Sequence, residues 1–342
     1  MLHTRQCESH STAMSRKKTR AITTFKEHSE RVSSVVFSPD GQLIASASYD
    51  ETVKLWNPKT SQVIRTFLVP TTDENHNQEY KLWIEASSKL SFSQDGKFLT
   101  LGNGYNALIT WQVDTGKVVK KIRGRHSYTS ATAFSPDGTY FANSLNNIPS
   151  NVDLTKLSTD QIIHRLTQST YSQESGEIGI WDVKTGQQIS TIPKTGLSSS
   201  MVFSSDNQFL VNDSLNATIN LWDVKSRELL RVWEGYGSVA ISPNNEFVAV
   251  NNYGCVKVWN RKTGKEIYSL EGERDGEALV FSPNSQILAS TGLNTITIWD
   301  LMRGQKIITL SSPQIFTIAI SLNGKLIASG NFDNTVRVWK MQ

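Results

Sequence analysis

Seven of the nine tryptophans close one recurring phrase: TVKLW at Trp56, ALITW at Trp111, EIGIW at Trp181, TINLW at Trp222, CVKVW at Trp259, TITIW at Trp299 and TVRVW at Trp339. Upstream of each runs a second phrase, FSPDG from Phe37, FSQDG from Phe92, FSPDG from Phe134, FSSDN from Phe203, ISPNN from Ile241, FSPNS from Phe281 and ISLNG from Ile320. Six of these seven intervals are 18 or 19 residues; Phe134 to Trp181 is 47. Eleven residues after each of the first six tryptophans stands an apolar residue (Phe67, Ile122, Ile192, Trp233, Leu270, Leu310), and three residues before each of those stands another. A pattern in register seven times requires seven copies of one unit, each too short to bury a core without its neighbours.

Each copy reads as four short strands. VSSVVF alternates and runs into Ser-Pro-Asp-Gly, where proline presets φ and glycine tolerates a positive φ. A LIASAS-like second strand follows, then a third ending at the tryptophan, a Lys-Thr-Gly turn and a fourth. Four strands in a period of about 40–45 residues is the signature of a propeller blade. The expected fold is all-β: a single seven-bladed β-propeller of four-stranded antiparallel blades, over residues 21–342.

The chain resembles the WD-repeat β-propeller family. Trp-Asp itself stands at Trp181-Asp182, Trp222-Asp223 and Trp299-Asp300, and Trp-Asn at Trp56-Asn57 and Trp259-Asn260. The family's Gly-His pair is reduced to Glu27-His28 and Gly124-Arg125-His126. The uniform FSPDG and KTG phrases are similar to those of bacterial members, cyanobacterial ones among them. The resemblance implies a structural hydrogen-bond network, complete only in the first blade as His28, Ser46 or Ser48, Asp50 and Trp56. It also implies a non-catalytic scaffold that docks protein or peptide partners. An enzyme or small-ligand binder working at the channel mouth is the alternative, since catalytic groups can converge there from separate blades.

Only Lys340, Met341 and Gln342 follow the last tryptophan, so the seventh blade lacks its fourth strand. Ile22-x-x-Phe25 matches the fourth-strand pattern, and Phe25 precedes Phe37 by twelve as Ile122 precedes Phe134. The N-terminal segment is expected to complete the last blade and remove an exposed sheet edge. Residues 1–20, with Arg16-Lys17-Lys18-Thr19-Arg20, read as a disordered polar and basic tail.

Two insertions interrupt the period, at about residues 69–86 and 145–175. The first joins blades one and two; the second lies between strands two and three of blade three, where Ser158 and Gln161 with Ile162, Ile163 and Leu166 predict a short capped helix. The 4→1 and 2→3 links emerge on one face, so both insertions decorate it. Seven of the nine tyrosines also fall in such links: Tyr49, Tyr80, Tyr105, Tyr128, Tyr171, Tyr236 and Tyr253. Tyrosine at loop tips buries much area at small entropic cost. Trp83, Tyr105, Tyr128, Tyr236 and Tyr253 are therefore the candidate partner-binding residues, with Phe332 beside them.

The six histidines have no metal-ligand spacing, and no nucleophile elbow, phosphate loop or zinc-protease motif occurs, so no metal, cofactor or catalytic residue is expected. A net charge of +4, from 35 Lys and Arg against 31 Asp and Glu, is too mild for a nucleic-acid footprint. Each complete 3→4 loop carries a cation (Lys59, Lys117, Lys184, Lys225, Arg261, Arg303), read as a solvated rim. No apolar run approaches the length of a membrane span, and two cysteines, Cys7 and Cys255, make no disulfide framework. Protein partners are expected, without nucleic acid, membrane or small molecule, in the cytoplasm, or the nucleus of a eukaryote.

Overall fold

The computed structural model describes residues 20–69, 88–103, 108–122, 131–145, 176–193, 195–252, 254–273 and 276–341. They form seven four-stranded antiparallel sheets. Blade one holds Val32–Phe37, Ile44–Ser48, Thr52–Asn57 and Gln62–Leu68; blade two, Lys89–Phe92, Phe98–Gly102, Leu108–Gln112 and Val118–Ile122. Blade three holds Thr132–Phe134, Tyr140–Leu145, Glu177–Asp182 and Gln188–Pro193; blade four, Met201–Phe203, Phe209–Ser214, Thr218–Asp223 and Leu229–Glu234. Blade five holds Val239–Ile241, Phe247–Asn252, Cys255–Asn260 and Glu266–Glu271; blade six, Leu279–Phe281, Ile287–Thr291, Thr295–Asp300 and Gln305–Ser311. Blade seven has Ile315–Ile320, Leu326–Asn331 and Val336–Lys340, and its fourth strand is Thr23–Phe25. The pairing that closes the ring sets Thr23 opposite Val338 and Phe25 opposite Val336. Each first strand touches those of both neighbouring blades, in an unbroken circle around a central channel.

The repeated residues have repeated jobs. The serine of each FSPDG-type phrase donates its hydroxyl to the Asp or Asn two residues on, as Ser38 does to Asp40 at 2.5 Å and Ser321 to Asn323 at 2.8 Å. The same hydroxyl accepts the N–H that opens or precedes the second strand, Leu43 in blade one and Leu326 in blade seven. The residue after the tryptophan caps the 3→4 turn: Asp223 accepts Ser226 N–H at 2.7 Å and Asn57 accepts Lys59 N–H at 2.9 Å. In blades one to six the ladder between strands three and four shifts register at the tryptophan, a bulge that re-aims the indole.

The core lies between blades. Phe25 of blade seven meets Trp56 of blade one with ring centroids 4.6 Å apart, Phe67 meets Trp111 at 5.4 Å, and Trp233 meets Trp259 at 5.6 Å. The apolar residue eleven after one tryptophan thus packs on the next blade's tryptophan, which is why that spacing recurs. Its companion three residues earlier (Ile64, Val119, Ile189, Leu230, Ile267, Ile307) is exposed on the outer strand, where β-branched residues serve mainly strand propensity. Between these two positions, Arg65, Lys120, Arg231 and Tyr268 reach across to carbonyls of the following blade's 3→4 turn, Arg231 to Lys262 at 2.8 Å and Tyr268 to Leu301 at 2.7 Å.

Cys255 is half-buried at the start of its strand, and Cys7 lies outside the described residues. The tail, most of both insertions and the helix expected near Ser158 also lie outside them.

Candidate functional site

The first strands run from the 4→1 links down to the Ser-Pro-Asp-Gly turns, so their opening residues surround one mouth of the channel. Three residues before the end of each first strand stand Ser34, Lys89, Ala131, Ser200, Ser238, Ala278 and Thr317. Six are small. Adjacent first strands are tied at this level: Leu90 N–H donates to Ser34 Oγ and Val239 N–H to Ser200 Oγ, both at 3.1 Å. Lys89 therefore sits on the wall beside Ser34 as the one long side chain of the set. It is half-buried. Burial pushes its ammonium below the ordinary lysine value, with the Glu277 carboxylate pulling the other way. Among the described residues it makes no hydrogen bond and no ion pair.

Arg31 precedes the first strand of blade one at the same mouth. Its guanidinium carbon lies 3.8 Å from the centroid of the Tyr49 ring and 5.6 Å from that of Phe332, which in turn lies 5.4 Å from Phe316. Two 2→3 links, one 4→1 link and the first strand of blade seven thus meet at an aromatic platform under one cation. Glu277 stands across the mouth on blade six; burial raises its carboxyl, and Lys89 and Arg31 oppose that rise.

Of the five aromatic candidates, Tyr236 lies in the described residues, half-buried in the link between blades four and five just before Gly237. Trp83, Tyr105, Tyr128 and Tyr253 lie outside them. The Tyr49 and Phe332 rings face Arg31. Sequence reasoning missed Arg31, Lys89 and Glu277. Aligning the first strands on their final residue would have singled out Lys89, because all six of its equivalents are small.

His28, Asp50 and Trp56 form one buried chain. His28 Nδ1 meets Asp50 Oδ2 at 2.8 Å, His28 Nε2 meets Ser46 Oγ at 2.7 Å, and Trp56 Nε1 donates to Ser46 Oγ at 2.7 Å. Ser46 rather than Ser48 takes the indole. Burial of the Asp50 carboxylate opposes its ionisation, but hydrogen bonds from His28, Thr52 and Ser29, with the His28 charge, outweigh it and hold Asp50 well below the usual carboxylate range. Each partner is satisfied inside the blade and His28 is buried, which is the geometry of a structural clasp. In blade seven Asp333 pairs with Arg337 at 2.9 Å, and the buried Trp339 N–H has no partner among the described residues.

The opposite face differs. Arg261 donates to Asn245 O at 2.6 Å and lies 4.1 Å over the Phe209 ring, and Arg303 pairs with Asp300 at 3.1 Å. Lys59, Lys117, Lys184 and Lys225 are exposed. Among the described residues no group of His, Cys, Asp or Glu is arranged to hold a metal ion, and no helix is long and apolar enough to cross a membrane.

The WD domain, G-beta repeat family matches residues 19–57, 264–300 and 304–340. Each match starts at or before the fourth strand of one blade and ends with the third strand of the next, so the sequence repeat straddles two blades. The three matches and the seven such blades in the ring support the WD-repeat β-propeller family. It is 34% identical over 110 residues to the periodic tryptophan protein 2 homolog of Schizosaccharomyces pombe, covering 30% of this chain and 13% of that protein. It is 26% identical over 254 residues to periodic tryptophan protein 2 of Arabidopsis thaliana, covering 71% of this chain and 23% of that one. Similarity to the guanine nucleotide-binding protein subunit beta of Zea mays runs at 22% identity over 338 residues, 92% of this chain and 70% of the relative. The chain spans under a quarter of either periodic tryptophan protein.

Proposed function

We propose that this protein is a non-catalytic interaction scaffold that docks protein or peptide segments on the face carrying the 4→1 and 2→3 links. The observation that carries this reading is the contrast between the two ends of the channel. At one mouth, Arg31 on its aromatic platform and the Lys89 ammonium make no direct side-chain hydrogen bond or ion pair among the described residues, and the Glu277 charge acts on both. At the other, Arg303 pairs with Asp300 beside its own turn, and Arg261 is held by Asn245 O and the Phe209 ring. A relative aligned over nearly the whole chain is named as a subunit, which supports a role in an assembly. Aromatic and arginine anchors typically supply most of an interface's affinity, about 2 kcal/mol or more each.

The test is affinity capture from the native cell with mass spectrometry, followed by affinity and melting measurements on variants of both faces. Tyr236→Ala and Arg31→Ala should weaken the captured partner while keeping the melting temperature. Loss of binding from Lys59→Ala or Lys117→Ala instead would move the docking surface to the opposite face. Turnover in an activity panel that dies with a channel-mouth substitution would replace the scaffold by an enzyme.

A further inference from the structure

Resting on that reading, we propose that Asp213 is a positioning residue of the docking face: its buried carboxylate fixes the link between blades four and five that presents Tyr236. The place of Asp213 in its blade is the first argument. It stands in the second strand opposite Ile219, and its equivalents in the other blades are Ala47, Gly102, Ser144, Asn251, Thr291 and Gly330. Asp213 alone of the seven can carry a charge, and it is fully buried. Among the described residues it forms no ion pair. Packing at this position is met elsewhere without a carboxylate, and a buried charge is costly unless donors complete it.

The donors are the second argument. Ser199 N–H and Ser200 N–H donate to Asp213 Oδ1 at 2.8 and 2.7 Å, and the Ser199 hydroxyl donates to Oδ2 at 2.5 Å. Ser200 O accepts the Asp213 N–H in return, so the link into blade four is held from both sides. Ser200 passes the constraint on: its Oγ accepts the Val239 N–H at 3.1 Å, where the first strand of blade five begins. Tyr236 lies just upstream, between Gly235 and Gly237, two residues with wide backbone freedom. Gly235 N–H is held by Ala217 O at 2.9 Å; Gly237 has a φ of 125°, and Asn251 O lies 2.2 Å from where its Cβ would stand. Backbone anchors thus set the path of the link, and Asp213 serves the downstream one. An aromatic ring held ready in this way loses less freedom on binding. Burial raises the Asp213 carboxyl above the ordinary aspartate value, while the Ser199, Ser200 and Gly237 donors oppose that rise. A raised folded value means that protonation adds to the stability of the fold, so acid weakens these donor contacts locally without unfolding the blade.

The experiment is a peptide-display selection on the full-length chain, followed by fluorescence anisotropy of one enriched peptide on the wild type, Tyr236→Ala and Asp213→Asn from about pH 4 to 7. The amide matches the protonated acid in shape, so Asp213→Asn removes the charge and leaves the packing. Tyr236→Ala should bind more weakly, and Asp213→Asn should lose about threefold or more in affinity at neutral pH. The ratio of wild-type to Asp213→Asn affinity should approach one as acid protonates Asp213. Glu234 beside the link and Glu277, whose carbonyl accepts the Ser238 hydroxyl, titrate in both proteins and cancel in that ratio. A ratio of one at neutral pH, or one that does not change with pH, would overturn the positioning role and leave the scaffold standing. Hydrogen exchange on the wild type, corrected for the intrinsic rate, tests the clamp without any variant. Protection of residues 197–201 and 235–239 should fall together over the same pH range, and a fall confined to the first segment would overturn the proposal. If no peptide is enriched, or Tyr236→Ala binds as the wild type does, it is the docking reading that fails at this link.

Discussion

The Arg65 guanidinium lies across the turn of the next blade, donating to Asp114 O and Thr115 O, with Nη1 only 2.7 Å from where a Cβ on Gly116 would stand. The relationship repeats at Gly264 with Arg231 and at Gly304 with Tyr268, while at Gly186 the side chain that crowds the turn is Ile122. Where the reaching residue is long (Arg65, Lys120, Arg231, Tyr268), the left-handed turn residue of the following blade is Gly116, Gly186, Gly264 or Gly304. Where it is short (Thr23, Ser190), that residue is Ser61 or Arg227, still at positive φ. The turn tolerates a side chain when the neighbouring blade leaves room for one.

Gly116→Ala should therefore cost about 1–2 kcal/mol, mainly from its φ of 76°, and part of that should be relieved by Arg65→Ser. A double-mutant cycle by urea unfolding should show coupling of about 0.5 kcal/mol or more. Strict additivity would mean that the two residues do not sense each other.

Ser46 serves two buried donors or acceptors at once, the indole of Trp56 and the ring of His28. Ser46→Ala leaves both without their partner and should destabilise the fold by about 1–3 kcal/mol. Thr at this position should recover most of the loss, because it keeps the hydroxyl.

The blade-one clasp also sets an acid dependence. Asp50 has a folded value held below its unfolded value of 3.8, so its stabilising contribution is complete above that value and is lost as pH falls through the folded one. Stability of the wild type relative to Asp50→Asn should be flat at neutral pH and narrow only below about pH 4. A gap that closes between pH 5 and 7 would assign the linkage to another group.

Phe25 is 2% exposed and stacks on Trp56, while its strand closes blade seven. Phe25→Ala should cost about 3–5 kcal/mol, and removal of residues 1–26 should cost more, because it also opens the ladder to Val336–Val338. A truncated chain melting at the wild-type temperature would show that the ring does not depend on this strand.

The blades were legible in the sequence because their signals are local. A Ser-Pro-Asp-Gly turn, an alternating strand and a Trp-Asp turn each fit within a few residues, and seven copies confirm one another. The network of His28, Asp50 and Trp56 was legible for the same reason, though only the structure chose Ser46 over Ser48: both lie on one side of the second strand, and Ser46 stands level with the indole while Ser48 donates to Glu30 O. The mouth was not legible. Arg31, Lys89 and Glu277 belong to blades one, two and six, and no sequence window contains them together.

By itself the sequence determined the number of blades, the four strands in each and the residue that each turn requires, since those follow from propensities and spacings within one repeat. The tertiary structure alone decided what the repeats do to one another. Residues eleven past a tryptophan are buried by the next blade, while those eight past it face solvent, although both are apolar. Lys89 becomes the one long side chain among small first-strand equivalents only when seven strands close around one axis. Burial and charge balance at a site depend on distances between distant parts of the chain, and ring closure is the step that sets them.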